Sequence, residues 1–124
     1  MKRLSAVVIG AGDRGMRAYA PYALKFPHEL EIVGVAEVNP DRRKQFQKMY
    51  ALDDQACYAR WEELLEQPRM ADIAIVCTQD RMHYQPTVRA LERGYHVLLE
   101  KPMSPDPVEC IAMIRKAKEE GRLL

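Results

Sequence analysis

Residues 6–15 read Ala6, Val7, Val8, Ile9, Gly10, Ala11, Gly12, Asp13, Arg14, Gly15: an unbroken apolar run followed by three glycines spaced GxGxxG. A run with no polar alternation suits a strand buried on both faces, as in a parallel sheet with helices on either side. Each glycine meets a steric demand of the turn after such a strand. Gly10 lets the backbone turn sharply, Gly12 has no side chain to hold a pyrophosphate away, and Gly15 lets the next helix pack close to the strand. The start of that helix offers unpaired N–H groups and the positive end of its dipole to phosphate. Glycine-rich turns occur in many loops, so the reading requires a partner further along the chain.

Three other runs resemble the first: Ile32 to Ala36, Ile73 to Cys77 and His96 to Leu99, each entered after a helix-like segment. Strands alternating with helices imply right-handed βαβ units and a parallel sheet. The fold class is therefore α/β, a Rossmann-type doubly wound parallel sheet of order 3-2-1-4, truncated before strand 5. Gly121 to Leu124 reads as the start of that next strand.

The helices carry their own punctuation. Asn39 and Pro40 form an N-cap with proline at the first helical position, opening a helix to about Tyr50. Arg60 to Gln67 is a short helix stopped before Pro68. His83 to Arg93 is helical, with Pro86 tolerated in the first turn and Gly94 as the stop. Asp106 and Pro107 repeat the cap, and Val108, Ile111, Ala112, Met113, Ile114 and Ala117 form an apolar stripe ended by Gly121. Pro21 falls inside the expected first helix, Asp13 to Phe26, and predicts a kink or break there.

The partner for the glycines is Glu37, at the end of the second run and 22 residues beyond Gly15. About 20 residues separate the glycines from the acid that accepts from ribose hydroxyls in a dinucleotide site. A carboxylate there repels a 2′-phosphate, so NAD is favoured over NADP. Arg42 and Arg43 weigh the other way if they turn toward an adenosine phosphate; on a solvated helix face they do not.

With 124 residues the chain is read as one domain, and its 48% hydrophobic residues supply a core. Lys and Arg number 19 against 18 Asp and Glu, with no long run of one sign, which argues against a nucleic-acid or membrane-surface binder. Cys57, Cys77 and Cys110 lack CxxC or Cys/His spacing, so no metal site is expected and a reducing, cytoplasmic setting follows. The apolar run after the N-terminal MKRL is too short for a signal peptide, and no segment approaches the roughly 18 apolar residues of a membrane span.

At the end of the third run stands Cys77, Thr78, Gln79, Asp80, Arg81, Met82, His83, and at the end of the fourth Glu100, Lys101, Pro102. With the fingerprint, these segments resemble the N-terminal domain of the glucose-fructose oxidoreductase, inositol dehydrogenase and rhizopine-catabolism family (Gfo/Idh/MocA) over essentially the whole chain. The resemblance implies that residues 1–124 form an NAD(P)-binding Rossmann domain, with the C-terminal substrate domain absent from this chain. It implies a dehydrogenase that moves hydride between nicotinamide and a sugar or polyol carbinol. Lys101 would lie near the nicotinamide and the reacting carbon, Glu100 beside the nicotinamide ribose, and Thr78 to His83 along the cofactor cleft. Gln79 and Asp80 depart from the proline and asparagine usual in the family. The family's catalytic histidine belongs to the other domain, and His83 does not replace it.

Lys101 also has a physical case, because ligands of open α/β sheets bind beyond the carboxyl ends of the strands. A carbinol loses hydride to become a carbonyl only if its hydroxyl proton leaves too, and a lysine of lowered pKa accepts it. The predicted cofactor-binding residues are thus Gly10, Ala11, Gly12, Asp13, Arg14, Gly15, Glu37, Thr78, His83, Glu100, Lys101 and Pro102, with Lys101 catalytic. Trp61 and Tyr58 are read as packing residues, His28 and His96 as structural. The alternatives are a non-catalytic dinucleotide-binding or assembly module and, on the glycine loop and acid alone, a methyltransferase. An uncovered fourth strand, His96 to Leu99, predicts a homo-oligomer through that edge or a disturbed C-terminal helix.

Overall fold

The computed structural model describes residues 3–11, 21–78, 83–100 and 103–124. Strands β1 (Leu4–Ile9), β2 (Leu30–Ala36), β3 (Cys57–Tyr58), β4 (Ile73–Val76) and β5 (His96–Leu99) form one parallel sheet, ordered β3-β2-β1-β4-β5. The helices are α1 (Pro21–Lys25), α2 (Pro40–Tyr50), α3 (Trp61–Glu66), α4 (Tyr84–Glu92) and α5 (Pro107–Glu120).

The doubly wound order is the expected one, extended by a strand. The third strand is the two-residue β3, pairing Val35 with Cys57 and Ala36 with Tyr58. So short a strand has no periodic apolar signature. The Ile73 run is accordingly the fourth strand and pairs with β1, not with β2, while the His96 run is the fifth and pairs with β4.

The unbroken apolar run of β1 is explained by two cores. Ala6 and Val8 point to one, with Ala23 of α1 and Phe46 of α2; Val7 and Ile9 point to the other, with Leu64 and Leu65 of α3, Ala90 and Leu91 of α4 and Ala117 of α5. The side chains of Ala6, Val7, Val8 and Ile9 are all buried, each with the transfer free energy of a side chain removed from water.

Local chemistry places the helix ends where the sequence put them. The Asn39 side chain accepts from the N–H groups of Asp41 and Arg42 at 3.0 and 3.1 Å, and Asp106 accepts from Val108 N–H at 2.9 Å. The left-handed C-cap of α5 falls on Gly121. The Pro21 kink cannot be read, since α1 is described from Pro21 and residues 12–20 lie outside the described set.

Only part of the α5 stripe reaches the core: Met113 and Ala117 are buried, whereas Val108, Ile111 and Ile114 are exposed. The helix packs on α4, and among the described residues nothing covers its outer side. At the free edge of β5, Val97 N–H donates to Leu123 C=O at 3.0 Å, one ladder-type bond to the segment expected to begin a further strand.

Replacing Asn39 by Ala removes the α2 cap and is expected to lower stability by about 1 kcal/mol. Urea unfolding checks this, and an unchanged m-value would assign the loss to the folded helix end.

Candidate functional site

The carboxyl ends of the strands are laced together by backbone bonds. Gly10 N–H donates to Ala36 C=O at 2.8 Å, Cys77 N–H to Ile9 C=O at 2.8 Å, Glu37 N–H to Tyr58 C=O at 2.9 Å and Glu100 N–H to Val76 C=O at 3.0 Å. Gly10 has φ +88, and a Cβ there would stand 2.9 Å from Cys77 C=O and Thr78 N. Positive φ and the passing β4 backbone both exclude a side chain, so the first glycine is fixed by the turn itself.

Glu37 is buried at the end of β2. One carboxylate oxygen accepts from Ala11 N–H in the glycine turn and the other from Asn39 N–H ahead of α2, each at 2.8 Å. Two charge-assisted bonds hold the carboxylate without exhausting its lone pairs, so each oxygen can accept again. The two arginines weighed from sequence separate. Arg43 donates to the Glu37 carbonyl at 2.7 Å, whereas Arg42 lines a cleft of about 250 Å³ with Gly10, Glu37, Val38, Trp61 and Thr78.

On the other side of the edge stand the loops after β4 and β5. His83 is fully buried at the start of α4; its Nε2 lies 2.8 Å from Thr78 C=O and its Nδ1 3.3 Å from Met103 C=O. A carbonyl only accepts, so either contact is a hydrogen bond only when its own ring nitrogen carries the hydrogen. The ring therefore lies between Thr78, just after β4, and Met103, beyond β5. Glu100 holds one buried carboxylate oxygen with no hydrogen-bond partner among the described residues. Burial, helped by the Glu100 carboxylate, pushes the Cys77 thiol up to about 12.

The structure thus brings Gly10, Ala11, Glu37, Thr78, His83 and Glu100 to one edge of the sheet. Gly12, Asp13, Arg14, Gly15, Lys101 and Pro102 lie outside the described residues. Sequence reading did not place Trp61, Val38 or Ala59 in the cleft. No periodic pattern marks them, because strand ends far apart in sequence bring them together. Among the described residues no group of three or more His, Cys, Asp or Glu could hold a metal ion, and no helix is long and apolar enough to cross a membrane.

A glycine turn after β1, an acid at the end of β2 and a cleft across the carboxyl ends define an NAD(P)-binding Rossmann domain. The chain belongs to the oxidoreductase family with an NAD-binding Rossmann fold, GFO_IDH_MocA, whose family model matches residues 4–124. It is 30% identical to D-glucoside 3-dehydrogenase of Escherichia coli (strain K12) over 126 aligned residues, which cover 98% of this chain and 33% of that protein. The chain therefore spans about a third of the length of that curated relative. Among solved structures it is similar to KijD10, a 3-ketoreductase of Actinomadura kijaniata in complex with TDP-benzene and NADP. That match has a TM-score of 0.85 and 29% identity and covers 98% of this chain and 37% of that one. The WlbA dehydrogenase of Chromobacterium violaceum, in complex with NADH and UDP-GlcNAcA, matches in fold, with a TM-score of 0.87, 22% identity and coverage of 98% and 34%.

With its thiol held up to about 12, Cys77 carries little thiolate at neutral pH. Alkylation by iodoacetamide at pH 8, read residue by residue by mass spectrometry, is expected to lag that of a free cysteine by more than about a hundredfold. The folded pKa exceeds the unfolded one, so the associated stability is present below pH 9 and lost as pH rises toward 12. Cys77→Ala should flatten the alkaline melting profile over that window.

Proposed function

We propose that this chain is the cofactor-binding domain of a dehydrogenase that transfers hydride between nicotinamide and a sugar or polyol carbinol. The observation that carries the reading is the hydrogen bond from Ala11 N–H, in the turn that Gly10 opens, to the buried Glu37 carboxylate across the head of β1 and β2. The residues fit a dinucleotide: Glu37 keeps free lone pairs at the cleft, and the unpartnered Glu100 oxygen suits a ribose hydroxyl. A nicotinamide cofactor held by these residues would supply the acceptor or donor of hydride. In oxidation Lys101 takes the hydroxyl proton as the carbinol becomes a carbonyl, and in reduction it returns that proton. Gly12, Asp13, Arg14, Gly15 and Pro102 complete the cofactor contacts, Thr78 lines the cleft, and His83 acts by holding the two loops together.

NAD is the proposed cofactor, because the Glu37 carboxylate disfavours a 2′-phosphate; NADP, bound by KijD10, is the alternative, and Arg42 is the cation at the cleft that serves it. The substrate is a sugar or polyol, in line with the dehydrogenase names of the relatives. The setting is cytoplasmic, with neither nucleic acid nor membrane as partner. The chain self-associates through the β5 edge, where Leu98 is 47% exposed and Leu99 faces a groove lined by Met103, Ile114 and Leu124.

Parallel calorimetric titrations with NAD and NADP test the cofactor reading. NAD is expected to bind more tightly, and Glu37→Gln to weaken it by about tenfold, the equivalent of one lost charge-assisted hydrogen bond. Tighter NADP binding would reverse the choice, and binding of neither would favour a non-catalytic assembly role. Sedimentation tests the edge: Leu98→Lys is expected to yield monomers where the parent chain forms dimers, and a monomeric parent overturns the association.

A further inference from the structure

We infer that the indole of Trp61 forms a wall of the adenine subsite in this cleft, so that the base of a bound dinucleotide rests against the chain's single tryptophan. The inference deepens the proposed cofactor reading and rests on it.

In the proposed reading Gly10 and the Glu37 carboxylate meet diphosphate and ribose, and Val38, Ala59 and Trp61 give the same cleft apolar lining. In the adenosine half of a dinucleotide the ribose joins phosphate to base. With diphosphate at the glycine turn and ribose at Glu37, the base has Val38, Ala59 and Trp61 as its apolar neighbours in the cleft. Adenine is flat, uncharged and aromatic, and an indole is the largest apolar plane the chain can present to it. Arg42, on the same cleft, adds a cation suited to a π face.

The position of Trp61 is unusual for a packing residue. It packs against the core beneath α3, yet it also borders two concavities, this cleft and a neighbouring groove lined by Tyr84, Gln85, Val88 and Arg89. Trp61 stands as a partition, and Leu64 and Leu65, fully buried one turn further on, anchor the helix that carries it. A wall fixed before the base arrives loses little side-chain freedom on binding.

The lone indole is its own reporter. The emission of Trp61 in the 124-residue chain is titrated with ADP-ribose and, separately, with nicotinamide mononucleotide, alongside calorimetry of the parent chain, Trp61→Phe and Trp61→Leu. ADP-ribose is expected to change the emission and nicotinamide mononucleotide to leave it unchanged. Trp61→Leu is expected to weaken ADP-ribose by about tenfold, the effect of a lost stacked base, while Trp61→Phe keeps most of the affinity. Circular dichroism of the Leu variant separates lost contact from lost fold, and the emission of the parent chain stands whatever that variant does. Calorimetric binding of ADP-ribose with unchanged emission and an unchanged Trp61→Leu affinity would overturn this inference and leave the cofactor reading intact. Equal emission changes from both ligands would also overturn it. Failure of the parent chain to bind NAD or ADP-ribose at all would remove both readings.

Discussion

The Glu37 carboxylate is the joint on which the site depends. One oxygen holds Ala11 N–H and the other Asn39 N–H, so a single buried side chain fixes the glycine turn, the end of β2 and the approach to α2. A buried carboxylate is costly unless its charge is met by donors, and here two backbone amides meet it. The same geometry leaves lone pairs facing the cleft. The group proposed to recognise a ribose is therefore also the group that holds Ala11 in the turn after β1.

A second joint closes the opposite half of the edge. His83 has no exposed surface, and its ring nitrogens face the carbonyls of Thr78 and Met103. The ring thus ties Thr78, just after β4, to Met103, beyond β5. Cys77 lies in the same corner, kept neutral by burial and by the Glu100 carboxylate. A neutral thiol adds no charge beside the carboxylate.

The apolar surface is unevenly spent. Both faces of β1 are covered, whereas α5 leaves Val108, Ile111 and Ile114 in solvent and β5 leaves Leu98 half exposed. The single bond from Val97 to Leu123 begins a further pairing at that edge. Exposed apolar rows of this kind on a sheet edge and its covering helix ask for another surface, whether from further polypeptide or from a second chain.

The sequence by itself determined what depends on near neighbours. Gly10 follows from the turn, Asn39 and Asp106 from the orphan amides of helix starts, Gly121 from a left-handed cap, and the α/β alternation from apolar runs separated by helical spacing. The spacing of Glu37 from the glycines was legible for the same reason, since one βαβ unit fixes it. Only the tertiary structure decided that Cys57–Tyr58 is the third strand, because two residues carry no period and their pairing with β2 comes from the sheet. It also decided that Arg42 and not Arg43 reaches the cleft, that His83 is enclosed between two carbonyls, and that Trp61 borders open space. Each of those outcomes depends on groups that meet only when strands distant in sequence are laid side by side, a contact no local pattern records.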